Sequence, residues 1–120
     1  MNLLADSILE DVKKQLGIPR EFEAFDSQVL VGINSALYTL WSLGMGENPV
    51  VVRDYTVKWN DIITEDVIAL VPSHVYLYTK RQFDPPQSGV LLDNVNRQIA
   101  ELEWRIRVHY DRPAKEENNG

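Results

Sequence analysis

Few side chains in this chain of 120 residues could carry chemistry. It has two histidines, His74 and His109, and no cysteine. No thiolate, disulfide or Cys-based zinc site can be built from it. Neither histidine sits in a metal-ligand spacing such as H-x-x-x-H or H-E-x-x-H. Carboxylates cluster in two places, Asp61 with Glu65 and Asp66, and Glu101 with Glu103. A carboxylate pair can do acid–base work only if both groups face one substrate. Residues two apart on a helix point to different sides, so Glu101 and Glu103 are poor partners. Asp61, Glu65 and Asp66 suit the start of a helix, where acids complement the dipole. The Gly-rich phosphate loops and the G-x-S-x-G elbow are absent. The aromatic residues, among them Tyr38, Trp41, Tyr76 and Tyr78, could form a stacking surface. At helical spacing such residues more often anchor cores or interfaces. The residues therefore point to no catalytic, metal or cofactor site.

Composition narrows the classes further. The hydrophobic fraction is 44%, enough for one domain with a core. The formal charge is −6, which disfavours a protein that reads DNA through a basic face. Local basic pairs, Lys13–Lys14 and Lys80–Arg81, read as solvated helix faces. The first residues, MNLLADSILEDVKK, are too acidic for a signal peptide, and no run approaches the ~18 apolar residues of a membrane span.

These residues are positioned by helices. The longest opens after a hard stop at Phe83, Asp84, Pro85 and Pro86, where two successive prolines offer no N–H. Ser88 can cap the restart, and nothing interrupts a helix from Gly89 to Pro113. Leu92, Val95, Ile99, Leu102 and Ile106 recur at steps of three and four and form its inner face. Arg97–Glu101, Glu101–Arg105 and Glu103–Arg107 lace the outer side at i,i+4. Upstream, Leu4, Ile8, Leu9, Val12 and Leu16 form a first helix capped by Asp6 or Ser7, with Gly17 and Pro19 as its stop. Phe22 or Phe25 staples the connector to the core. Asp26 or Ser27 caps a second helix with an apolar face from Val29 to Trp41. Gly32 is costly there unless a neighbouring helix packs close. Gly44 and Gly46 make its exit flexible. Residues 48–58, with Val50, Val51, Val52, Tyr55, Thr56 and Val57, form an extended loop or a short hairpin. Short helical turns follow at Trp59–Ile63 and Thr64–Leu70. A third helix starts at Val71 or Pro72, where proline is welcome in the first turn, and runs to Phe83. Val75, Leu77 and Tyr78 point inward. The fold class is thus mainly α: a bundle of about four helices with a long C-terminal helix. A single domain, 1–111, precedes a polar, flexible tail, 112–120.

One resemblance adds to this reading. Tyr76, Tyr78 and Arg81, then F-D-P-P at Phe83 to Pro86, then Ile99, Glu101, Glu103, Trp104 and Arg105, resemble the pattern of the head–tail connector (adaptor) proteins of long-tailed phages. L-G-I-P at Leu16 to Pro19, Phe25–Asp26, I-N-S-A at Ile33 to Ala36, L-G-x-G at Leu43 to Gly46, and Trp59 with Asn60 and Asp61 are similar as well. Pro72 departs from that pattern, since relatives run one unbroken helix there. The resemblance implies a structural virion protein at the head–tail interface, assembled from the host cytoplasm. It implies a ring, typically dodecameric, that binds the portal protein, prolongs the DNA channel and docks head-completion or tail proteins. It brings no catalysis, no cofactor, no sequence-specific DNA contact and no membrane. Interface candidates are Val51, Arg53, Tyr55, Val57 and Trp59 in the loop, and Trp104, Arg107, Tyr110 and Arg112 on the long helix. Two other classes stay open. A small helical DNA-binding regulator would use Asn94, Asn96, Arg97 and Gln98. A small hydrolase or metal enzyme would use Asp61, Glu65 and His74.

Overall fold

The computed structural model describes the backbone of residues 6–63 and 70–119, and side chains within those ranges as far as residue 110. Leu4, the expected turn at Thr64–Ala69 with Glu65 and Asp66, and the side chain of Arg112 lie outside the described residues. So do the side chains of the tail, 112–120.

Four helices carry the fold, and among the described residues there is no β-strand. Helix α1 spans Ile8–Gln15. Its N-cap is Ser7, whose Oγ accepts the Glu10 N–H at 3.2 Å. Its C-terminus is closed by Gly17 at φ +82°, with Gly17 N–H donating to Lys14 O and Ile18 N–H to Lys13 O. That double bond is the Schellman closure, and it drops Ile18 into the core. Helix α2 spans Asp26–Ser42 and ends in the same way. Gly44 takes φ +115°, Gly44 N–H donates to Trp41 O and Met45 N–H to Leu40 O. The exit expected to be flexible is therefore a formed cap, with Met45 buried behind it. The start of α2 differs from expectation too. Its N-cap is Phe25, without a side-chain bond, because the Asp26 carboxylate is committed to Lys13 at 2.7 Å.

Helix α3 spans Leu70–Phe83 and includes Pro72. Helix α4 spans Gly89–Asn119. The Asp84–Pro85–Pro86 break separates the two, and Ser88 caps α4 by accepting the Leu91 N–H at 3.1 Å. The inner face read from the sequence is the one that packs. Ile99 and Ile106 are buried, and Leu92, Val95 and Leu102 are half-buried.

Helix α2 supplies the largest share of the buried core and α4 the smallest. Val29, Ile33, Ala36, Leu37 and Leu40 of α2 are fully buried in the main core. They meet Ile8, Leu9 and Val12 of α1 and Val71 and Val75 of α3, while α4 adds Ile106. Helix α3 lies between α2 and α4. Gly32 explains the tight α2–α3 seam: a Cβ there would sit 2.8 Å from Thr79 Cγ2 and 3.1 Å from Thr79 Cα.

Residues 48–58 form the extended loop rather than the hairpin. Its one ladder contact is with the N-terminal segment, an antiparallel bridge between Ser7 and Lys58. Ile8 N–H donates to Val57 O at 3.0 Å and Trp59 N–H to Asp6 O at 3.2 Å. The middle of the loop is held by α2. Asn34 Nδ2 donates to Val52 O at 2.9 Å, and Val52 N–H donates back to Asn34 Oδ1 at 2.8 Å. This bidentate clamp buries Val52 without leaving its backbone unpaired.

Candidate functional site

The polar residues that could do chemistry are spent on holding the helices together. Lys13 is wholly buried. Its ammonium lies 2.7 Å from Asp26 Oδ1 and 2.7 Å from Tyr55 Oη. It also donates to the carbonyls of Arg20 and Phe22, both at 2.9 Å. Burial pulls the Lys13 pKa down, but the hydrogen bonds it donates to Asp26 and Tyr55 outweigh it, and the net shift is upward. The ammonium therefore stays charged and ties α1, the connector, α2 and the loop to one point. The expectation of a solvated Lys13–Lys14 face holds for Lys14 alone. A signal was present: Leu9, Val12, Lys13 and Leu16 share the i, i+3, i+4, i+7 face.

His74 is the second such contact. It is fully buried on α3, and its Nε2 lies 2.9 Å from Glu103 Oε2 on α4. Desolvation holds its pKa below the ordinary value, against the raising effect of Glu103. A neutral ring with the proton on Nε2 donates to Glu103, leaving Nδ1 buried and unpaired. Glu103 thus turns inward, where its register had suggested the outer side.

Of the three residues of the hydrolase reading, Glu65 lies outside the described residues, and the other two are each engaged elsewhere. His74 is committed to Glu103. Asp61 is exposed and accepts the Lys58 N–H at 2.8 Å as a local cap. Among the described residues no group of three His, Asp or Glu side chains could hold a metal ion. The regulator reading fares similarly. Asn96 accepts from Arg81 at 3.0 Å and Arg97 donates to Asn94 at 2.6 Å, so part of that polar face is already paired. No described helix is long and apolar enough to cross a membrane.

The interface candidates fall into three groups. Val51 and Arg53 are exposed at the loop, as are Trp104 and Arg107 on α4. Tyr55, Val57 and Tyr110 are half-buried against the core, and the Tyr55 hydroxyl is bound to Lys13 and to Arg20 O. Trp59 is a core residue rather than a surface one. It is 1% exposed, with its indole N–H donating to Asp11 Oδ2 at 3.0 Å.

Two apolar surfaces lacked a signal at the level of single motifs. Phe22 and Phe25 do not enter the core. They are exposed and form a chain of ring contacts with Phe83, at 5.5 Å and 5.3 Å between centroids. Val31 and Tyr38, seven apart on α2, are exposed on the side away from the core, with Tyr38 against Trp41 at 5.4 Å. Periodicity finds the buried face of α2 but does not ask what covers the opposite one.

The arrangement offers surfaces for proteins and no cleft with converging reactive groups among the described residues. Comparison with known proteins gives the same direction. No curated protein and no solved structure matched the chain. A sequence model described as phage connector protein matches residues 8–113, nearly the whole length and all four helices up to the later turns of α4. The chain belongs to the phage connector protein family.

Proposed function

We propose that this protein is the adaptor of a phage head–tail connection. It forms a ring under the portal, prolongs the DNA channel and gives head-completion and tail proteins a docking surface. The observation that carries the reading is the family match over residues 8–113. The buried polar contacts support it, because Lys13 and His74 are used as internal ties and the exposed apolar residues lie on helix faces. The net charge of −6 suits a channel wall, since a protein without a cationic groove releases no counterions and does not trap the duplex. In this reading the protein is made in the host cytoplasm and ends in the virion, at the head–tail interface.

Light scattering of the chain, alone and mixed with its portal protein, tests the reading. The expected result is a complex heavier than the portal by many copies of the chain. A mixture in which each component keeps its own mass overturns it.

A further inference from the structure

The outer face of α2 has the composition of a buried surface. From Ser27 to Gly46 the chain carries no charged residue, although a quarter of all its residues are charged. A helix that is apolar all round is ordinarily enclosed, and α2 past Asp26 has no charge on any side. Here the inner side is in the core, and the outer side, with Val31 at 63% and Tyr38 at 58% exposure, faces solvent. Uncharged, aromatic-bearing surface marks the centre of a protein interface. A shallow groove runs along this side of α2, bordered by Leu30, Val31, Asn34, Ser35, Tyr38 and Thr39 and, from α3, Tyr78. None of these lining side chains is charged; the nearest cation, Arg81, is held over the Tyr78 ring at 4.9 Å.

The same chain carries a ridge of matching character. Trp104 and Val108, at i,i+4 on α4, are exposed on the side opposite Ile99 and Ile106. Of the charges beside the tryptophan, Arg105 lies 3.4 Å from Glu101, and the exposed Arg107 has an interaction of its own. Such a ridge brings engaged charges, rather than a bare one, to an uncharged groove. Because α3 lies between α2 and α4, ridge and groove belong to different sides of one subunit. A two-fold contact would cover one of them and leave the other wet. A head-to-tail contact covers both in every copy, and rotation closes it into a ring.

The geometry points to a specific occupant: the α2 groove around Val31 and Tyr38 receives the Trp104–Val108 ridge of a second copy of this chain. This rests on the ring reading above and names the two faces that would build it.

The absence of cysteine makes the contact directly testable. Val31→Cys and Val108→Cys are prepared as single variants and together in one chain, both at exposed positions. Each preparation is treated with a short bis-maleimide, free in solution and bound to the portal. The expected result is a cross-linked dimer only when the two single variants are mixed, and a ladder beyond the dimer from the double variant. Adding Trp104→Ala to the double variant lowers the ladder yield about tenfold or more, as loss of an interface anchor does. Dimers from either single variant alone, or no ladder in the free and portal-bound samples, overturn the contact. Portal binding retained without a ladder removes this contact and leaves the ring reading in place. Loss of both removes both.

Discussion

At the scale of residues, the two buried titratable groups make opposite demands. Lys13 is fully enclosed, and its partner Asp26 keeps some access to water. Lys13→Met leaves Asp26, the Tyr55 oxygen and the Phe22 carbonyl without the Lys13 donor, while the Arg20 carbonyl keeps the Tyr55 hydroxyl. Removing one member of a buried pair is costly, and with one side partly wet the expected loss is about 2–3 kcal/mol in denaturant unfolding. The double variant Lys13→Met with Asp26→Asn recovers part of that loss. A single variant as stable as the parent disproves the tie. His74 behaves as a pH sensor of folding. Its pKa is lowered by burial in the folded state, so the unfolded chain binds the proton more readily. Its contribution is complete above the unfolded value of about 6.5 and is lost as pH falls below it. Stability should therefore decline from pH 7 towards pH 5, and His74→Leu should flatten that part of the curve. An unchanged slope in the variant assigns the decline to other groups.

At the scale of elements, α2 does three things with three sides. Its inner side builds the core, Gly32 admits α3, and Asn34 clamps the loop. Gly32→Ala should gain up to about 1 kcal/mol of helix propensity. The new methyl, however, meets the Thr79 backbone as well as its side chain. Overpacking of this kind costs about 1–3 kcal/mol, so the net effect is destabilising. A variant that melts higher than the parent shows that the seam is looser than described. Asn34→Ala removes both bonds to Val52 and leaves a buried N–H and C=O unpaired. The expected loss is about 1–3 kcal/mol. Faster hydrogen exchange at the Val52 amide should report it locally, with the α1 amides unaffected.

At the scale of the molecule, stability and assembly separate. Trp104 is 63% exposed and outside the core, so Trp104→Ala should leave the unfolding midpoint within about 0.5 kcal/mol of the parent. A large loss of stability would make Trp104 a structural residue and not an anchor for a neighbour. The acidic charge balance gives a second expectation. Random duplex DNA should show no mobility shift with the chain at physiological salt, because phosphate binding requires a cationic surface. A shift that weakens as salt rises would favour the DNA-binding class.

The sequence by itself determined the local features. The break at Asp84–Pro85–Pro86, the Ser88 cap, the α4 inner stripe and the Gly17 closure follow from φ restriction, missing donors and the 3.6-residue period, none of which needs a distant partner. The family pattern was legible for the same reason, as ordered short motifs. Tertiary structure alone decided what depends on contacts between distant residues. Lys13 is inside because Asp26, Tyr55 and two carbonyls converge on it. His74 meets Glu103 because α3 and α4 fold back on each other. Trp59 is core, and Phe22 and Phe25 are surface, because hydrophobicity says that a side chain favours burial but not which neighbour supplies it. The large share of the core that α2 supplies was likewise invisible in a list of helices, since it depends on which elements pack against each one.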